Sequence, residues 1–223
     1  MLKEIKGKLI VSCQALPEEP LHSPFIMGRM ALAAEQGGAS GIRAQSMADI
    51  LEIQKNVNLP IIGIVKRNYE DSDIYITPTK KEVDELLAVG CEMIALDATV
   101  RPRPNGEKLE NLVQYIKNHG VEVMADCSTY EECVAAEKMG FDCVSTTLCG
   151  YTSYSKNIDG PNIELIEKLV KDLHIPVIAE GKINTPEDLK AVLEAGAYCA
   201  VVGGAITRPQ NITKRFSAVI KES

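Results

Sequence analysis

The chain has 223 residues, with 31 acidic against 24 basic side chains and a pI near 5.1. An acidic balance of this size argues against nucleic acid as a partner, yet it leaves room for an anionic small molecule in a local basic pocket. No apolar stretch approaches the length of a membrane span, and the start Met1-Leu2-Lys3-Glu4-Ile5-Lys6-Gly7 carries no apolar leader, so a cytoplasmic protein without a membrane partner is expected.

In chain order, the first strand is expected over Leu9–Cys13 and is followed by Gln14. A second strand is expected near Ser40–Ile42 with Arg43 at its end. The apolar run Ile61–Val65 reads as a strand buried on both faces and ends at Lys66. Met93–Leu96 leads to Asp97, and Val121–Ala125 leads to Asp126. Cys143 to Thr146 forms a sixth strand, Val177–Ala179 a seventh ending at Glu180, and Cys199–Val202 an eighth ending at Gly203-Gly204.

Helices fill the intervals. Four of them end in glycine just before a strand, at Gly37-Gly38, Gly90, Gly140 and Gly196, where a left-handed residue stops the helix. Thr79, Thr129 and Thr185 supply N-cap hydroxyls, the last with Pro186 and two acids in the first turn. These joints recur about every 50 residues, the length of two strand-helix units. The fold expected is one domain over residues 1–223, a single (β/α)8 TIM barrel. An open doubly wound sheet is the weaker alternative, since no GxGxxG follows the first strand.

Seven cysteines, Cys13, Cys91, Cys127, Cys133, Cys143, Cys149 and Cys199, are odd in number and form no CxxC pair. They read as small buried hydrophobes in a reducing compartment, and no Cys/His cluster suggests a metal. His22, His119 and His174 lie away from the strand tips. The loop Arg101–Gly106 is expected to be solvated, and the segments 68–78 and Tyr151–Ser155 are candidate lids.

In such a barrel, chemistry gathers where the strands end. A charge closing a buried apolar strand cannot enter the core cheaply, so Lys66 and Glu180 are expected to face a common cleft. After the last strand, Gly203-Gly204 and Arg208, with Gly181 after the seventh, match the phosphate site of such barrels. A phosphate grip, one lysine and several carboxylates suit proton abstraction beside the carbonyl of a phosphorylated sugar, with Arg43 and Gln14 available to an enolate. Burial would lower the lysine pKa and an adjacent carboxylate would raise it. A Schiff-base aldolase or lyase using Lys66 and a non-catalytic sugar-phosphate sensor remain alternatives.

Several segments carry a resemblance over nearly the whole chain: Ser12-Cys13-Gln14, Ile42-Arg43-Ala44, Val65-Lys66-Arg67, Tyr75–Thr79, Leu96–Thr99, Ala125-Asp126, Ser145–Thr147 with Gly150–Thr152, Ala179–Gly181 and Val202–Pro209. Together they resemble the N-acylglucosamine-6-phosphate 2-epimerases, the bacterial N-acetylmannosamine-6-phosphate epimerases. The resemblance implies a (β/α)8 barrel that interconverts the two N-acetylhexosamine 6-phosphates in sialic acid catabolism, without a cofactor. It implies Lys66 as the base at C2 and Glu180 as a group holding Lys66 and touching the sugar. Gln14, Arg43 and Asp126 would position the substrate, and Gly181, Gly203, Gly204 and Arg208 would hold its phosphate. The sequence does not identify the group that returns the proton on the opposite face, and it leaves self-association as a dimer open.

Overall fold

The computed structural model describes residues 1–220. Eight parallel strands close on one another in sequence order: β1 (Leu9–Cys13), β2 (Gly41–Gln45), β3 (Ile61–Ile64), β4 (Met93–Asp97), β5 (Glu122–Asp126), β6 (Cys143–Ser145), β7 (Val177–Glu180) and β8 (Cys199–Val202). The barrel read from the sequence is therefore observed. A short helix, α1 (Leu2–Ile5), precedes β1, and its Ile5 is fully buried at the amino-terminal end of the barrel beside Ile10 and Met93.

Seven helices follow the first seven strands: α2 (Pro24–Gln36), α3 (Met47–Gln54), α4 (Lys80–Val89), α5 (Leu109–Asn118), α6 (Tyr130–Met139), α7 (Ile163–Asp172) and α8 (Pro186–Glu194). The threonine starts behave as read: Thr79, Thr129 and Thr185 each close a capping box, with Glu82, Glu132 and Asp188 respectively. Gly90 and Gly140 take the left-handed conformation that ends α4 and α6. After β8 come α9 (Gly204–Thr207) and α10 (Pro209–Ser217), and α10 buries none of its side chains. None of the described helices is long and apolar enough to cross a membrane.

Two layers of core follow from strand alternation. Ile10, Ile62, Ile64, Met124, Ile178 and Val201 fill the barrel interior. Their alternates, such as Val11, Ile61, Val123 and Val177, face the helices. At Gly63 the outward position is so tight that an added Cβ would stand 2.7 Å from Cys91 Sγ and 2.9 Å from Leu86 Cδ2.

Gly63→Ala is accordingly expected to destabilise the barrel by about 1–3 kcal/mol. Thermal unfolding should show a Tm lower by several degrees, partly restored when Cys91→Ala is added. An unchanged Tm would show that α4 yields at no cost.

Candidate active site

The interior rows of the barrel run upward by twos from apolar residues into polar ones. Ile10 leads to Ser12 and Gln14, Ile62 and Ile64 to Lys66, Met124 to Asp126, Ile178 to Glu180, and Val201 to Gly203. At the carboxyl ends these rows open into a cavity of about 740 Å³, lined by Gln14, Arg43, Lys66, Glu180, Gly203 and Arg208 among others. The same alternation that fills the core thus aims Gln14, Arg43, Lys66, Glu180 and Gly203 into one chamber.

Arg43 departs from the sequence expectation. It is the third residue of β2, which continues to Gln45, so Arg43 sits within the sheet rather than at its end. The side chain is 1% exposed, and two carboxylates make that burial tolerable. Arg43 Nη1 donates to Asp126 Oδ1 at 3.0 Å and to Glu180 Oε2 at 2.7 Å, while Nη2 donates to Asp126 Oδ2 at 2.5 Å. Burial opposes its charge, but Asp126 and Glu180 outweigh burial and hold the guanidinium above its usual range.

Asp126, expected to touch the substrate, is fully buried behind Arg43 and does not line the cavity. Its effect reaches the chamber through Arg43. Thr147, two residues past β6, is a junction that strand periodicity alone does not single out. Its hydroxyl lies 2.7 Å from Asp126 Oδ1 and 3.1 Å from Glu180 Oε2. One hydroxyl has one proton, so it serves one carboxylate at a time.

Glu180 therefore pairs with Arg43, and among the described residues Lys66 makes no ion pair within 4.0 Å. The competition foreseen for the lysine resolves toward burial. Burial, and then the charges of Arg43 and Arg208, lower Lys66 to about 8 against the pull of Glu180 and Glu19. Burial raises Glu180 to about 7, with Arg43 opposing and Asp126 adding to the rise. An amine and a carboxyl that both titrate near neutrality stand at the tips of β3 and β7, four strands apart in a closed ring of eight. They face each other across the chamber. Cys13 is inert by comparison, its thiol pushed up to about 12 by burial.

The loops differ from expectation in both directions. The segment after Lys66 folds back on β3: Ile76 pairs antiparallel with Lys66, Arg67 N donates to Tyr75 O at 3.0 Å and Thr77 N to Val65 O at 2.8 Å. Asp97 N reaches Ile76 O at 3.2 Å, so this segment wedges between β3 and β4 and brings Tyr75 to the cavity wall. The loop expected to be solvated, Arg101–Gly106, is pinned instead. Arg101 Nη2 donates to Asp97 Oδ2 at 2.6 Å, and buried Arg103 donates to the carbonyls of Thr77, Pro78 and Asp97. Backbone carbonyls far apart in sequence satisfy that guanidinium, which no local pattern reveals.

On the β8 side, Gly181 has φ +99° and a Cβ there would stand 3.5 Å from the carbonyls of Thr146 and Thr147. Gly203 and Gly204 open α9, and Arg208 reaches back over Gly204. Gln14 donates from Nε2 to Ser12 Oγ at 2.8 Å. Gln14 Oε1 and Arg43 Nε are buried with no partner among the described residues, although both side chains line the cavity. They are unused polar capacity at the chamber wall.

Residues 27–222 match the sequence profile of the family described as "Putative N-acetylmannosamine-6-phosphate epimerase". The chain belongs to this family. A Clostridioides difficile relative named "Putative N-acetylmannosamine-6-phosphate 2-epimerase" is 67% identical over 221 residues, covering 99% of each chain. One of the same name from Oceanobacillus iheyensis is 60% identical over 97% of this chain and 99% of its own length. Among solved structures, the N-acetylmannosamine-6-phosphate 2-epimerase of Clostridium perfringens superposes with a TM-score of 0.97 at 66% identity, covering 99% of this chain and 96% of that one. A thiamine phosphate pyrophosphorylase from Pyrococcus furiosus, 22% identical with a TM-score of 0.63, shares the fold alone.

The Glu180 environment has a consequence for stability. Between about pH 4.5 and 7 the folded chain keeps this proton while the unfolded chain has lost it, so stability should fall as pH rises through that window. Glu180→Gln removes the proton linkage. Its stability relative to the parent chain should therefore improve progressively from pH 4.5 to 7 and level off above, measured by urea unfolding. A difference independent of pH would contradict the raised pKa.

Proposed function

We propose that this chain interconverts N-acetylmannosamine 6-phosphate and N-acetylglucosamine 6-phosphate by moving the proton at C2, as an enzyme of sialic acid catabolism that requires neither cofactor nor metal. The observation that carries the mechanism is that Lys66 and Glu180, at the tips of β3 and β7, line one cavity; burial there lowers the amine to about 8 and raises the carboxyl to about 7. Family membership supports the substrate, since the relatives' names specify it.

In the open-chain sugar the C1 carbonyl acidifies C2. The neutral Lys66 amine takes the C2 proton, and the electron pair of the broken C–H bond moves onto the carbonyl oxygen as an enolate. Arg43 and Gln14 are the donors available to that oxygen. Protonated Glu180, across the chamber, returns a proton to the opposite face of C2, and Arg43 beside it accommodates the carboxylate left behind. The reverse reaction exchanges the roles, with Glu180 as base and protonated Lys66 as acid. No redox step arises. Gly181, Gly203, Gly204 and Arg208 form the phosphate end, with Asp126 acting by holding Arg43.

Proton NMR of the substrate in D2O tests this reading. The parent chain should convert either epimer with deuterium at C2, and Lys66→Ala should lose conversion by about 10²-fold or more. Glu180→Gln should still exchange the C2 hydrogen of the one epimer that Lys66 faces, without converting it. Conversion with no label at C2 would defeat proton abstraction, and near-normal epimerisation by Glu180→Gln would remove Glu180 as the second acid. Borohydride trapping of sugar on Lys66 under turnover would favour the Schiff-base alternative instead.

The pH dependence follows from the same two groups. Forward turnover needs neutral Lys66 and protonated Glu180, so kcat/KM should be bell-shaped with its maximum between about 7 and 8. In Glu180→Gln the C2 hydrogen exchange that remains should keep only the acid limb, that of Lys66, and lose the alkaline one. A flat profile from pH 6 to 9 would refute the assignment.

The cellular setting is proposed on composition and burial. Seven free cysteines, six of them buried, suit a reducing cytoplasm, and the acidic shell does not suit nucleic acid. Self-association as a dimer is the assembly we favour. The exposed Phe216 of α10, with Val219 and Ile220 just after it, offers an apolar surface for such a contact.

A further inference from the structure

Arg208 does not stand alone at the phosphate end. Its Nε donates to Glu19 Oε1 at 2.5 Å and its Nη2 to Glu19 Oε2 at 3.1 Å, a two-point grip on one edge of the guanidinium. The same carboxylate is fixed from two other directions, by Leu16 N at 2.7 Å and by Gln210 Nε2 at 3.1 Å. Glu19 belongs to the loop between β1 and α2, so the contact joins the loops that follow two neighbouring strands, β1 and β8.

The arrangement is one-sided. Arg208 lines the cavity, whereas Glu19 does not. Arg208 Nη1 has no hydrogen-bond partner among the described residues and stands 3.5 Å from where a Cβ on Gly204 would be. The carboxylate therefore holds the guanidinium from behind and leaves the Nη1 edge over Gly204. We infer that Glu19 is a positioning residue for the substrate phosphate, acting on the phosphate through Arg208. The inference rests on the sugar-phosphate reading of the cavity and extends it to a residue that carries the wrong charge to be recognised as part of an anion site.

Two effects of removing the carboxylate oppose each other, and their signs separate the inference from its rival. By charge alone, losing an anion near the site should tighten phosphate binding. The Glu19–Arg208 pair is partly exposed, with side chains 16% and 26% accessible, so that long-range benefit is screened. Losing the two-point grip frees a flexible arginine that must then be ordered when phosphate arrives. The second effect is expected to prevail.

The experiment measures binding of inorganic phosphate by titration calorimetry alongside steady-state kinetics with the sugar phosphate. Glu19→Gln should raise the phosphate dissociation constant and KM together by about tenfold, the scale of one charge-assisted hydrogen bond, with kcat within about twofold. Arg208→Ala should be worse, and adding Glu19→Gln to it should change nothing further. Such non-additivity distinguishes action through Arg208 from a general structural role. If Glu19→Gln does not fold, Glu19→Asp, which draws the carboxylate back by one methylene, should show the same direction. Tighter or unchanged phosphate binding, or additive losses in the double variant, would overturn the inference. If the parent chain binds phosphate with this pattern but leaves the amino sugar phosphates unconverted, Glu19 keeps its role and the epimerase reading falls.

Discussion

The active-site chamber depends on one buried ion cluster, Arg43 with Asp126 and Glu180. A guanidinium placed inside a barrel has no water to fall back on, and it is retained because two carboxylates on β5 and β7 meet it across the interior. Removing one member of such a cluster leaves an uncompensated buried charge, a loss of about 3–5 kcal/mol. The cluster therefore constrains the register of β2, β5 and β7 together. It also contains one positive group for two acids, and that imbalance helps keep a proton on Glu180 into the neutral range.

The lysine is governed by the same arrangement. Because Glu180 is committed to Arg43, Lys66 has no carboxylate within 4.0 Å among the described residues, while the charges of Arg43 and Arg208 add to burial in lowering it. Burial then prevails, and the amine is poised to shed its proton near neutral pH, as the proposed base must. The chamber is organised into two ends. Strands β2, β5 and β7 hold an acid with a spare proton, while the β8 end holds Arg208 over Gly204, gripped by Glu19. In the proposed reaction, phosphate held at the second end orients the sugar so that its C2 lies within reach of both Lys66 and Glu180.

Much of this was legible in the chain because period-two alternation is a local signal. Runs such as Ile62, Ile64, Lys66 and Ile178, Glu180 show both the interior row and the polar residue that tops it. Glycine stops and threonine caps mark the helix ends for equally local reasons. What could not be read depends on partners remote in sequence. Arg43 lies 83 residues from Asp126 and 137 from Glu180, so neither its mid-strand position nor the diversion of Glu180 from Lys66 had a sequence signature. The Arg101–Gly106 loop was misjudged for the same reason, since Arg103 is satisfied by the carbonyls of Thr77 and Pro78. Glu19 escaped because a carboxylate is not sought where an anion is to bind.

The central claim is that the Lys66 amine sheds its proton near neutral pH because its carboxylate neighbour is held elsewhere. A direct test is an NMR titration of the lysine side chains in the unliganded protein, labelled at Cε, with the Lys66 signal identified by its absence from Lys66→Arg. The account predicts a midpoint at about 8, well below the remaining lysines. An amine that stays protonated beyond pH 10 would contradict it, and would mean that Lys66 is a cation in the resting chamber and not its base.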